Sequence, residues 1–475
     1  MLWLALHLPR FPLEARSRAQ QAPGPCALVE AGRITHVNTV AAEAGIQAGL
    51  GLSAARSLAP DLQLLERHPA SEAQALRQLA DWALQFTSQV SLQPPDTLLL
   101  ELGGSLRLFG GLDTLMTMLT QALDQLGYSH QQGTAPTPVA AWLLARHGDP
   151  EPVRDRSALP QRLAPLPCIL LPLDTARQRA LAGLGIRTLG DLMALPSKDL
   201  GRRLGRTPMQ LLEQALGQRP DLRPQHQPAR HYHGHLEFPA AAHSSKSILF
   251  ALQRLLRELA GLLHGLEAGV QQLELELAHH RRNPTRLRPG LMRPSRSTKR
   301  WLMVCRERLE RQALPAPVIA IDLRADTLLP LAPEALALLD AEVQETPDRW
   351  LELTERLKAR LGGRTICGLG TRAEHRPEQA WQTLPPEQSP QQRANPHRPL
   401  WLLKQAEPLV VRQGQPCWNG PLVLCQGPER IETGWWDGHD ISRDYYQARA
   451  ANGALLWVYR DRRPPRGWYL HGFFG

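Results

Sequence analysis

At 475 residues the chain is long enough for roughly three or four domains, each with its own core. Its 43% hydrophobic and 21% charged residues fit a soluble globular protein, and no apolar run is long enough to cross a membrane. A net charge of +10, a pI near 9.7 and an excess of arginine over lysine favour a polyanionic partner. The six cysteines, Cys26, Cys168, Cys305, Cys367, Cys417 and Cys425, form no CxxC pair, which argues against zinc and suits a reducing cytoplasm.

In chain order, Leu2 to Leu8 reads as a buried strand, not a signal peptide. Ala73 to Phe86 has helical periodicity, Leu98 to Leu102 reads as a buried strand ending in the Gly103-Gly104 turn, and Leu112 to Leu126 is again helical. HGDPEPVRDRSALP marks a boundary near 148–160. Residues 165–220 look like a compact helical domain. Within it LAGLGIRTLGDLMALP, 181–196, has a helix–hairpin–helix pattern, and the backbone at Gly185, Ile186, Arg187 and Thr188 is expected to meet a DNA phosphate.

Residues 235–330 alternate strand and helix: strands Leu273–Leu277 and 318–325, helices Ser247–Leu263 and Ser297–Glu310. Between them, 279–300 reads as a charged loop. It holds Arg281, Arg282, Arg286, Arg288, Arg293, Arg296, Lys299 and Arg300 and no acid. Eight like charges repel one another unless a polyanion lies nearby, so they are DNA-backbone candidates. A solvated charged face is the plainer reading. Residues 376–397 are polar and proline-rich, hence a linker. Beyond it lie six of the 12 tryptophans among short alternating strands. That pattern predicts a small β domain whose aromatics form a core and a partner surface, or stack single-stranded bases.

The order helix, strand, GGSLRLFGG resembles the catalytic strand of the Y-family (translesion) DNA polymerases. That strand carries an adjacent Asp-Glu pair, which the resemblance sets on Leu100-Glu101. Two-metal nucleotidyl transfer needs clustered carboxylates holding Mg²⁺ ions roughly 4 Å apart, and leucine supplies none. Setting Phe11 on the first aromatic of the opening motif puts His7 and Pro9 at its two acid positions and Pro12 at the second aromatic. The triphosphate-binding Tyr and Arg become Thr39 and Ala42, and two lysines become Pro138 and Trp142. Only Glu101 remains. GGSLRLFGG, GPERIETGWWDG (427–438) and RDYY (443–446) further resemble the ImuB-like, non-catalytic branch.

The resemblance implies an α+β fold with a palm (1–160, fingers insert about 25–70), a helical thumb (161–230) and a little finger (231–330). A helix and linker (331–397) and an aromatic-rich C-terminal domain (398–475) follow. It implies a DNA-binding scaffold in SOS-induced mutagenesis and translesion synthesis, without cofactor or metal. The scaffold would hold primer–template DNA and connect a sliding clamp, a RecA-like accessory protein and an error-prone C-family polymerase. Leu336, Leu338 and Leu339 are the apolar part of a clamp-binding peptide, or one face of a helix. Trp435 and Trp436 are the tail's partner-binding candidates. The alternative is an active polymerase whose rearranged metal site draws Glu14, Asp96 or Asp113 beside Glu101.

Overall fold

The computed structural model describes residues 1–20, 24–195, 206–331, 345–362, 365–386, 388 and 398–474. They divide into two compact units, Met1–Arg360 and Leu361–Gly475. The clamp-peptide candidates Leu336, Leu338 and Leu339 lie outside the described residues.

The first unit opens with β1 (Trp3–His7) and α1 (Phe11–Ser17). A small subdomain follows: β2 (Cys26–Glu30), β3 (Arg33–Val37), α2 (Thr39–Glu43), α3 (Leu52–Leu58) and β4 (Gln63–Glu66). Its sheet has the order β3-β2-β4 around a core of its own. Then come α4 (Pro69–Ala83), β5 (Val90–Gln93), β6 (Thr97–Glu101), α5 (Leu112–Leu126), β7 (Gln131–Ala135) and α6 (Pro138–His147). The main sheet has the order β5-β6-β1-β7, so β1 and β6 are central.

Every residue of β6 is buried, because the sheet is covered on both faces. Leu4, Leu6, Leu98 and Leu100 pack with α4 and α5, whereas Ala5 and Leu99 face α6 and the helices after it. With helices on both sides, neither face of this sheet is left to solvent at β6. α6 lies so close to β7 that a Cβ on Gly133 would stand 2.3 Å from the Ala145 nitrogen.

Next come α7 (Leu159–Leu163), α8 (Thr175–Gly183), α9 (Leu189–Met193) and α10 (Arg206–Ala215). The third region runs β8 (Tyr232–Ala242), α11 (Ser245–Gly265), β9 (Ala268–Gln272), β10 (Glu274–His279), β11 (Arg282–Leu287) and β12 (Gly290–Ser295). It continues with α12 (Thr298–Arg311), β13 (Val318–Ala325), β14 (Leu329–Pro330) and α13 (Glu345–Leu361). Its main sheet, β11-β10-β13-β8, turns Leu275, Leu277, Ile321 and Leu323 toward a core shared with α11 and α12.

α11 also packs on α4, where a Cβ on Gly261 or Gly265 would come within 2.5 Å of Trp82 or Leu84. Beside it Arg18 and Glu258 form an ion pair with both side chains 2% exposed. The Tyr232 hydroxyl is bonded to Glu258 as well. These contacts fix the third region to the first sheet.

The second unit begins with a hairpin, β15 (Gly368–Thr371) and β16 (Trp381–Leu384). It continues with β17 (Trp401–Arg412), β18 (Gln415–Cys417), β19 (Val423–Thr433), β20 (Ile441–Arg449), β21 (Leu455–Asp461) and β22 (Trp468–Phe473). These six form one antiparallel sheet, β18-β17-β22-β21-β20-β19. One apolar cluster centres on Leu456, Val458 and Leu470, the other on Tyr445, Trp457 and Tyr459. The start of the stretch read as a linker is therefore folded. Arg376 is buried, held by Glu374 and Asp437, and β16 is paired.

Candidate polymerase-like site and nucleic-acid interface

β1 runs antiparallel to β6 with Trp3 opposite Glu101 and His7 opposite Thr97. His7 and Glu101 thus occupy opposite ends of the strand pair, about 13 Å apart at the usual rise per residue. What faces His7 is Asp96 and Thr97. His7 Nδ1 lies 3.3 Å from Asp96 Oδ1 and 3.3 Å from Thr97 Oγ1, and the Thr97 hydroxyl donates to Asp96 at 2.9 Å. Burial opposes ionisation of Asp96, but hydrogen bonds from His7 and Thr97 hold its carboxyl below the usual range.

If His7 marks the first acid position of a polymerase palm, the paired acids map to Asp96-Thr97. This corrects the placement on Leu100-Glu101. Leu100 is a fully buried core residue. Glu101 accepts hydrogen bonds from the Leu2 N–H at 2.9 Å and the Gly103 N–H at 3.1 Å, so it ties the chain start to the glycine turn. The apolar run TLLLE drew the register four residues too far. The carboxylate in the PPDT turn before it was the signal.

The other positions that the resemblance assigns to triphosphate-binding groups carry no charged side chain: Thr39, Ala42, Pro138 and Trp142. Thr39 accepts from the Arg10 guanidinium at 2.7 Å, and Ala42 is exposed. Pro138 opens α6 behind its Thr137 cap, and Trp142 is buried. The acids of the alternative reading are held apart. Glu14 accepts from the Ser129 N–H at 2.9 Å, and Asp113 sits in the first turn of α5. Among the described residues, no three His, Cys, Asp or Glu side chains converge as metal ligands do.

The hairpin between α8 and α9 forms as read, with Gly185 at φ +77°. Its donors, however, are already occupied. Gly185 and Ile186 N–H groups donate to the Ala182 and Leu181 carbonyls, and those of Leu189 and Gly190 to Leu166 and Ala164. Arg187 and Thr188 N–H groups both donate to Asp191 Oδ2, at 3.0 and 2.9 Å. These two bonds hold the Asp191 carboxyl below its ordinary value. A side-chain anion thus takes the place expected for a phosphate.

Residues 279–300 are not a loop. They form β11, β12 and the start of α12. Nor do all eight cations lack a counter-charge. Arg286 pairs with Glu276 at 2.9 Å, Arg288 with Glu274 at 2.8 Å, and Arg300 with the fully buried Glu355 at 2.8 Å. Two-residue alternation puts Glu274 and Glu276 of β10 on the open sheet face beside these arginines, a pairing across strands that reading 279–300 alone could not reveal. Asp322 joins that face, bonded to His233 at 2.9 Å and His235 at 3.0 Å. Asp322 and Glu237 together raise His235 to about 9.

The sequence model of the impB/mucB/samB family matches residues 12–146. The protein named ImuB of Caulobacter vibrioides, from strain NA1000 / CB15N and equally from strain ATCC 19089, is 27% identical over 459 residues. The match covers 91% of this chain and all of that one. The chain is thus similar to ImuB over nearly its whole length. Among solved structures it is similar to DinB from Sulfolobus solfataricus (15% identity, TM-score 0.39) and to a Dbh ternary complex (15%, TM-score 0.38). Each match covers 70% of this chain and all of the other.

The tail's two tryptophans are not core. Trp435 is 80% exposed and Trp436 57%, their rings 5.6 Å apart and edge-on. The loop carrying them joins β19 to β20 and is held from below. Arg376 donates to Asp437 at 3.0 Å and stands 5.8 Å from the Trp436 ring. Gly434 is at φ +89°, and a Cβ there would meet the His439 carbonyl at 2.6 Å. No helix among the described residues is long and apolar enough to span a membrane.

Proposed function

We propose that this chain is a non-catalytic, polymerase-like DNA-binding scaffold in DNA-damage tolerance, acting in SOS-induced mutagenesis and translesion synthesis. The observation that carries the reading is the strand end at His7. One carboxylate, Asp96, remains there, with an imidazole and a hydroxyl as its neighbours. Two divalent ions cannot be clamped on one acid. The body keeps the palm-like sheet, and a basic chain keeps the affinity for DNA.

Synthesis then falls to a separate enzyme, an error-prone C-family polymerase, in the cytoplasm. The scaffold would connect it to primer–template DNA, a sliding clamp and a RecA-like accessory protein. The rigidly held, exposed Trp435–Trp436 pair supports a docking role for the tail, since aromatic anchors dominate interface energetics. Primer extension by the purified chain with Mg²⁺ or Mn²⁺ tests the reading. No template-directed incorporation is expected. Incorporation that disappears in Asp96→Ala would overturn it.

A further inference from the structure

α13 packs on the core with its more polar side. Among its described side chains Leu351, Thr354, Glu355 and Ala359 are buried. The Glu355 carboxylate is accommodated by accepting from the Met292 N–H at 2.9 Å and from Arg300 at 2.8 Å. The larger apolar side chains face outward. Trp350 is 59% exposed and Leu353 48%, and Leu357 is half-buried. At about 3.6 residues per turn, spacings of three and four set Trp350, Leu353 and Leu357 in one stripe. Arg356 and Arg360, both exposed, fall in the adjoining row. On that flank α13 forms one wall of a cleft of about 690 Å³, through Glu352 and Arg356. The facing wall, α12, supplies Lys299, Arg300, Arg306 and Glu307, with Leu302 and Met303 among them, and Arg257 of α11 adds a further cation. Arg300 and Arg356 already hold Glu355 and Glu307. Basic side chains still outnumber acidic ones around the cleft, five to two.

We propose that the outward stripe of α13 is a docking surface for an acidic amphipathic helix of a partner protein. That helix would lay apolar side chains at i, i+3 or i+4 and i+7 on Trp350, Leu353 and Leu357. Its carboxylates would turn toward Arg356, Arg360 and the cleft. The proposal rests on the reading of the chain as a scaffold and adds a docking surface within the first unit. The spacing of the stripe suits helix-on-helix recognition, in which anchors repeat every three or four residues. An aromatic anchor flanked by leucines at its centre is the composition that carries most of the energy in such contacts. The charge row decides the occupant. A second copy of the chain, packed antiparallel about a two-fold axis, would set the arginine row of one helix against that of the other. Packed parallel, it would set that row against Lys358. Like charges so placed repel. A DNA backbone would suit the cations but has no apolar row to cover Trp350 and Leu353. A helix with an acidic edge satisfies both halves of the surface.

The test selects binders to the full chain from a displayed library of helical peptides with randomised apolar and edge positions. Selected peptides are expected to carry the apolar repeat and a net negative charge. Their affinity should fall at least about tenfold for Trp350→Ser/Leu353→Ser, and again for Arg306→Glu/Arg360→Glu. All four side chains are exposed, so circular dichroism should not change. If the serine pair does disturb folding, Leu353→Lys alone carries the comparison. A library that yields no binder would overturn the proposal. So would binders that are basic, that lack the repeat, or that hold the serine pair as tightly as the natural chain. Self-association of the natural chain that the serine pair abolishes would give the stripe to a second copy, and weakened binding of a primer–template duplex by that pair would give it to DNA. Either result overturns the proposal. None of these outcomes touches the scaffold reading, which template-directed synthesis by the natural chain would strike whatever the peptides do.

Discussion

His7 Nδ1 stands 3.3 Å from the Asp96 carboxylate, at the strand end where a polymerase palm needs a second acid. One carboxylate stands there, with an imidazole and a hydroxyl as its neighbours. We expect Asp96→Ala to leave damage-induced mutagenesis within about twofold of the natural level in a cell-based reversion assay. A scaffold has no use for a lone carboxylate at that place.

Glu101 is expected to matter for stability instead. Its carboxylate accepts two backbone N–H bonds at a site with little solvent. Glu101→Ala leaves the Leu2 and Gly103 donors unsatisfied, at a cost of about 1–3 kcal/mol. Urea unfolding followed by circular dichroism would register it as a lower midpoint. No change in midpoint would contradict this role.

The Arg18–Glu258 pair fixes the third region to the first sheet. Removing one partner strands a buried charge, so Arg18→Met or Glu258→Leu alone should destabilise the first unit by about 3–5 kcal/mol. The double variant Arg18→Met/Glu258→Leu should recover most of that loss, because both charges leave together. A double-variant cycle in chemical denaturation measures the coupling. Additive losses would mean that the pair is not coupled.

In the second unit His471 is buried against Tyr445, whose hydroxyl lies 2.9 Å from its Nδ1. Burial pushes the imidazole down to about 4, against an unfolded value near 6.5. Between these values the unfolded chain binds the extra proton. Stability contributed by neutral His471 is therefore present above about pH 6.5 and lost as pH falls toward 4. The full span is about 3 kcal/mol. The thermal midpoint of the second unit should drop across that window in the natural chain and less in His471→Gln.

Trp435→Ala/Trp436→Ala should change the stability of the second unit by no more than about 0.5 kcal/mol, since both rings are exposed. The same change should weaken capture of the partner polymerase or RecA-like protein by at least about tenfold if the pair is a hot spot. Calorimetry on the full chain and a pull-down from damaged cells give the two numbers.

Periodicity alone placed β1, β6, α5 and the hairpin at Gly185, because alternation and 3.6-residue spacing are local properties of the chain. It also marked the tail as a β domain. Which carboxylate faces His7 was a matter of register between strands some ninety residues apart, and register is set by pairing, not by neighbours in sequence. The same holds for charge. Arg286 and Arg288 look unopposed along 279–300, but β10 brings Glu276 and Glu274 beside them. The composition fixed an excess of positive charge. Only the fold decided which cations are already neutralised and which remain free, because Coulomb energy depends on distance in space.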